Sequence, residues 1–117
     1  RRQRQMCIRD RTKTGRSGGN ASAEDGYEQA RICAINLIAQ VKAACGGDLD
    51  RVRRVVKLGG FVASAPDFTG QPGVINGASD LMVEVFGDAG KHARFAVGTN
   101  VLPLGCLVEI DGIFEIG

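Results

Sequence analysis

Tryptophan is absent from this chain, tyrosine occurs once, and aromatic residues make up 5% of its 117 positions. A core must therefore be aliphatic, built from Val, Ile, Leu and Ala. Histidine also occurs once, and the four cysteines (Cys7, Cys33, Cys45, Cys106) show neither a CxxC pair nor a regular spacing. That pattern excludes the usual zinc-ligand arrangements, so no metal is expected. No run reaches the ~18 apolar residues of a spanning helix. No charged start leads into an apolar segment, as a secretory signal would require. With no route to an oxidising compartment, the cysteines read as reduced thiols and the protein as cytoplasmic. Cys33 and Cys45 fall within an apolar helical pattern, where a buried thiol behaves as a small hydrophobe.

What is present is a chain sized for one modest domain, 44% hydrophobic, with a formal charge of +2. The charge is unevenly placed. RRQRQMCIRDR, residues 1–11, holds five Arg and one Asp, a net of +4, so residues 12–117 carry ten basic and twelve acidic side chains, a net of −2. A mildly acidic body offers no electrostatic footprint for nucleic acid. The leader lacks apolar periodicity. A basic arm for RNA is one reading of it; translated adapter read-through, a non-native leader, is the preferred one. Residues 1–11 are thus expected to lie outside the fold, and TKTGRSGGN to form a loop.

From Ser22 the pattern becomes regular. Ser22 and Asp25 approximate a capping box, and Tyr27, Ala30, Ala34, Leu37, Ile38, Val41 and Cys45 recur at helical spacing up to Gly46-Gly47. RVRRVVKLGGFVASA predicts a strand, with Gly59-Gly60 as a bulge or a point of close approach. Val74, Ile75, Ala78, Leu81, Met82, Val85, Phe86 and Ala89 predict a second helix stopping at Gly90. Two strands follow, about 93–99 and 106–116, joined by NVLPLG. Two amphipathic helices covering one face of a mainly antiparallel sheet, an α+β fold, is the expected architecture.

Two charges stand out in the last strands: Arg94 and Glu109. If the strands form a hairpin centred between Val101 and Leu102, these residues pair and project from one face. On pattern alone, an ordinary cross-strand salt bridge on a solvated face is the favoured explanation. A slip of one residue would separate them.

Three stretches, NGASDLMVEVFG, HARFAVG and LPLGCLVEI, resemble the reactive intermediate deaminase (Rid) family, also described as L-PSP endoribonuclease-like with a chorismate-mutase-like fold. The helix GYEQARICAINLIAQVKAACGGDLDRV and the strand VVKLGGFVASAPDF look like its middle portion, so the resemblance covers residues 12–117. It implies a homotrimer with clefts between subunits, and hydrolysis of 2-imino or enamino acids to 2-keto acids and ammonia. It implies no cofactor, because the imine is already electrophilic. The family's arginine falls at Arg94, a clamp for the substrate carboxylate. The glutamate that activates water falls at Glu109, and a substrate-binding asparagine at Asn76. Ala96 stands where many active members carry a cysteine, GASDL replaces an aromatic-containing segment, and the family's first two strands are not found. The resemblance is thus to a truncated, divergent member.

Two alternatives accompany that expectation: a non-catalytic sensor holding a small carboxylate in the same cleft, and a ribonuclease or RNA-binding protein. The net charge of −2 speaks against the latter. His92 is a tempting base, but a loop-end histidine facing water is the preferred reading. Cys106, without a basic partner, reads as an inert thiol. Arg51, Arg53, Arg54 and Lys57 read as the solvated side of a strand, and GDAGK follows a helix instead of opening one, unlike a phosphate loop.

Overall fold

The computed structural model describes residues 22–117 and the backbone of residues 2–6. Cys7, the remainder of the basic leader and the 12–20 loop lie outside the described residues. In chain order the elements are β1 (Arg2–Met6), α1 (Ala23–Ala44), β2 (Val52–Ala63), α2 (Gln71–Phe86), β3 (Ala93–Thr99) and β4 (Val108–Ile116). Both helices cover one face of a mixed sheet with strand order β1-β4-β2-β3.

α1 begins where its capping residues place it. Ser22 Oγ accepts from the Asp25 amide at 3.0 Å and Asp25 Oδ2 accepts from the Ser22 amide at 3.2 Å, completing the capping box. Its apolar stripe, Ala30, Cys33, Ala34, Leu37 and Val41, is fully buried or nearly so. The helix stops at Gly46 and Gly47, whose positive φ angles of 66° and 93° suit residues without Cβ. α2 opens with Pro72 in its first turn and buries Val74, Ile75, Ala78, Leu81 and Met82. Leu58 and Val62 of β2, with Ile110 and Phe114 of β4, supply the sheet side of this aliphatic core.

β2 buries Val52, Val55 and Leu58 at intervals of three, which strict alternation forbids. Register shifts between Val52 and Arg54, and between Val55 and Lys57, insert the extra residues that keep all three on the helix side. The bulges therefore precede Gly59-Gly60, and the glycines serve close approach: a Cβ at Gly60 would overlap Ile75, and one at Gly59 the Phe95 ring.

The hairpin expected between the last two strands does not form. β3 runs parallel to β2, with Leu58 opposite Arg94, whereas β4 runs antiparallel along the other side of β2, with Phe61 opposite Glu109. The cause lies in the connection. Leu102, Cys106 and Leu107 are buried, so residues 100–107 pass over the end of β2 instead of turning tightly in solvent. The amide of Ala63 donates to the Leu107 carbonyl at 2.9 Å and that of Ser64 to the Thr99 carbonyl at 2.8 Å, holding one strand on each side. α2 then serves as the crossover that a parallel pair requires. The backbone of Arg2–Met6, set apart from the fold on composition, runs antiparallel to β4 as an edge strand.

A polar seam closes the solvent side of the helix pair. Tyr27 donates to Asp80 Oδ2 at 2.9 Å, and Arg31 donates to Glu84 Oε2 at 2.8 Å. The hydrogen bond from Arg31 holds the Glu84 carboxyl below its ordinary range, while the bond to Asp80 raises the Tyr27 phenol above its own. The depressed Glu84 adds stability above an unfolded value of about 4.3 and loses it as pH falls through the folded value. A Glu84→Gln variant is expected to show a flatter acid limb in thermal unfolding between pH 7 and pH 3. The difference should be small, because the pair is exposed.

The other residues singled out from the sequence have structural employment. Arg51 donates to the Gly117 and Cys45 carbonyls, Arg54 pairs with Glu115 at 3.8 Å, and Lys57 lies 5.4 Å from the Phe95 ring centroid. Cys33, Cys45 and Cys106 are buried. No described helix is long and apolar enough to cross a membrane.

Candidate functional site

The second helix and the third strand bring the polar residues together. Asn76 and Ser79 are three positions apart on α2 and so share a face. After Phe86 the chain turns at Gly87, where φ is 62°, and a short 3-10 turn through Gly90 returns it beside the helix it has just left. His92 and Arg94 consequently lie against Asn76 and Ser79. Arg94 Nη1 donates to Asn76 Oδ1 at 2.7 Å and to Ser79 Oγ at 3.1 Å. Ser79 Oγ and His92 Nε2 are 2.9 Å apart, and His92 Nδ1 faces the Gly90 carbonyl oxygen.

These residues, with Asp80, Val83 and Lys91, line an open groove of about 290 Å³. Its carboxylate, Asp80, already accepts from Tyr27. Lys91 pairs with Asp88 at 3.2 Å but remains 71% exposed. The exposed guanidinium of Arg94 is therefore the fixed cation of the groove. Both of its hydrogen bonds use Nη1, so the guanidinium plane is oriented, and Nε and Nη2 have the fork geometry that suits a carboxylate. An amide oxygen and a hydroxyl orient the charge without neutralising it.

Two of the three residues singled out for substrate chemistry, Arg94 and Asn76, are thus in direct contact. The third is elsewhere. Glu109 alternates with Val108 and Ile110, which are buried beneath the helices, and stands opposite Phe61. Phe61 packs edge-on to Phe95 with ring centroids 5.4 Å apart, on the sheet face turned away from the helices. Arg94 pairs with Leu58 and reaches α2, on the opposite face. The expected same-face pairing of Arg94 and Glu109 does not occur within one chain, because β2 intervenes and the parities of the two registers differ.

His92 also departs from expectation. It is half-buried and turned toward Ser79, not toward water. Ser79 was not singled out, although its i,i+3 relation to Asn76 was the available signal. A larger cavity of about 440 Å³ opens at the far ends of β2 and β3, lined by Ser64, Gln71, Thr99 and Asn100 among others. None of its lining residues is titratable. Gln71 donates to Ser64 Oγ and the Phe68 carbonyl, and Ser64 donates to the Val62 carbonyl. Of these two cavities, only the Arg94 groove is lined by titratable side chains. Among the described residues, no group of three or more His, Cys, Asp or Glu side chains is placed to hold a metal ion.

Comparison with known proteins converges on one family. Residues 9–115 match the model described as "YjgF/chorismate_mutase-like, putative endoribonuclease". Protein TCP17 of Trypanosoma cruzi is 51% identical over 104 residues, covering 88% of this chain; the chain spans 64% of that protein's length, just under two thirds. The crystal structure of an Agrobacterium tumefaciens protein of unknown function is 47% identical and superimposes with a TM-score of 0.94, over 98% of this chain and 74% of its own. A structure described as a "putative endoribonuclease" from Shewanella oneidensis is 31% identical with a TM-score of 0.91, over 97% of this chain and 76% of its own.

Proposed function

The chain belongs to the YjgF/chorismate-mutase-like family, and from that premise we propose that it hydrolyses small carboxylate-bearing imines or enamines to 2-keto acids and ammonia without a cofactor. The observation that carries this reading is the Arg94 guanidinium, exposed at a groove and oriented through Nη1 by Asn76 and Ser79. A planar, permanently charged fork held in one orientation suits a carboxylate. Fixing that end of a 2-imino acid places its C=N carbon at a defined distance, and positioning of this kind supplies much of the rate where the reactant is intrinsically electrophilic.

Glu109 is the water-activating residue of this proposal, and its place on the opposite face requires a second copy of the chain. The site is accordingly shared: Arg94 and Asn76 of one copy face Glu109 of a neighbour in a homotrimer. The sheet face bearing Glu109 supports this arrangement. Phe61, Phe95 and Val97 lie on it, Val97 is 42% exposed, and none is covered by the helices. Water activated by the carboxylate adds to the C=N carbon, the nitrogen takes up a proton, and the carbinolamine collapses to ketone and ammonia.

The test is ammonia and keto-acid release from a 2-imino acid generated in place by an amino-acid oxidase. Wild-type protein is expected to exceed the spontaneous rate, and Arg94→Ala to fall to it while the assembly persists. Unchanged release by Arg94→Ala would remove the assignment. A second reading, a sensor that binds a small carboxylate without turning it over, is favoured by the separation of Glu109 from Arg94 within the chain. It predicts a rise in melting temperature with 2-keto acids and no product.

A further inference from the structure

We propose that Ser79 is a nucleophile activated by His92, giving the groove an acyl-transfer activity toward small esters that carry a carboxylate. This goes beyond imine hydrolysis, which needs no covalent intermediate.

Three contacts define the arrangement. The Gly90 carbonyl oxygen can only accept a hydrogen bond, so His92 Nδ1 carries the proton facing it. In the neutral ring Nε2 then holds a lone pair, and Ser79 Oγ lies 2.9 Å from it. Because Nε2 of this tautomer carries no proton, the serine hydroxyl donates there, while its oxygen accepts from Arg94 Nη1 at 3.1 Å. Nucleophile, base and an orienting third group are thereby arranged as nucleophilic catalysis requires. A backbone carbonyl fixes the tautomer, the part an aspartate plays in other triads. The cation beside Oγ favours the negative charge that develops as the proton leaves. A serine hydroxyl in a helix commonly bonds back to a carbonyl one turn earlier; this one is aimed across to the strand.

The chemistry balances with water as the co-reactant. Ser79 Oγ attacks the ester carbonyl carbon as its proton passes to His92 Nε2. The tetrahedral oxyanion collapses, the bond to the leaving alcohol breaks, and His92 returns the proton to that alcohol. Water then attacks the acyl-serine, His92 takes its proton, and the acid leaves as Ser79 regains its hydrogen. Arg94 grips the distal carboxylate of the ester.

The test uses the whole chain and a fluorophosphonate probe, whose phosphorus takes the serine oxygen while fluoride departs. Adducts are located by peptide mass spectrometry. Wild-type protein is expected to carry one adduct, on Ser79, and Ser79→Ala none. His92→Asn retains a donor for the Gly90 carbonyl but no base, and labelling should slow by about a hundredfold or more. Circular dichroism confirms that each variant is folded. A wild-type chain unlabelled at Ser79, or His92→Asn labelled as fast as wild type, would overturn the proposal. In a second arm, the mono-4-nitrophenyl ester of succinate should be cleaved about tenfold faster than 4-nitrophenyl acetate, a preference lost in Arg94→Gln. Equal rates would overturn the carboxylate-ester assignment. Labelling does not depend on imine turnover, so an unlabelled serine leaves the imine reading standing, and an inert imine assay leaves the serine chemistry untouched.

Discussion

Replacing Gly77 by valine is expected to force the two helices apart and destabilise the domain strongly. A Cβ at this position would overlap the Tyr27 carbonyl oxygen and lie 3.2 Å from the Ala30 Cβ. The obstructing atom is backbone of α1, so no rotamer change relieves it. Helix α1 would have to move away, opening contacts to Ala30, Ala34 and Ala78, all fully buried. Overpacking of a tight core costs about 1–3 kcal/mol and sometimes more. Against a total stability on the order of 5–15 kcal/mol this is a large share, and the β-branched side chain adds a poor helix propensity. Thermal unfolding should show a loss of about 10 °C or no cooperative transition at all. Gly73, in the first turn of the same helix, is the control: a Cβ there meets nothing within 4 Å. Gly73→Ala is expected to stabilise by about 0.5–1 kcal/mol. If Gly77→Val melts like wild type, the close crossing of the helices is wrong.

Mixing two inactive variants is expected to restore activity. Arg94→Ala and Glu109→Gln each remove one half of the proposed site. If both halves came from a single chain, no mixture would contain an intact site. With the clamp on one face of the sheet and the carboxylate on the other, each site draws one half from each of two neighbours. Random assembly of a one-to-one mixture then leaves about a quarter of the sites whole. Keto-acid release should recover to that fraction after the variants are denatured together and refolded, and stay at the spontaneous rate when each is refolded alone. Recovery near zero in the mixture would remove the shared site. A wild-type rate for Glu109→Gln alone would remove the water-activating role of Glu109.

Local signals made much of the architecture legible. Ser22 with Asp25 marks a helix start because the reciprocal hydrogen bonds are made by residues three apart, and both are present. The stripe Ala30–Val41 and the run Val74–Met82 specify buried faces through spacing alone. Pairing was harder to read. Residues 100–107 looked like a turn between neighbours, whereas Leu102, Cys106 and Leu107 mark a segment lying over the core. A buried loop carries its own apolar residues, and those were the signal. The bulges at Val52–Arg54 and Val55–Lys57 were hidden because an extra residue in one strand is defined only by its partner.

The same division applies to the site. By itself, the sequence determined the residues with chemistry to offer. Arg94 and Glu109 are costly in strands, and Asn76 and Arg94 fall on motif positions. It also determined the aliphatic core and the two helices, since capping and amphipathic spacing act over a few residues. Which of those groups meet was decided only by the tertiary structure. The interposition of β2 put Arg94 and Glu109 on opposite faces, and the turn through Gly87–Gly90 brought His92 onto Ser79. The reason is physical. The face a side chain occupies follows from the parity of register between strands, and register is settled by long-range burial of the whole sheet against both helices.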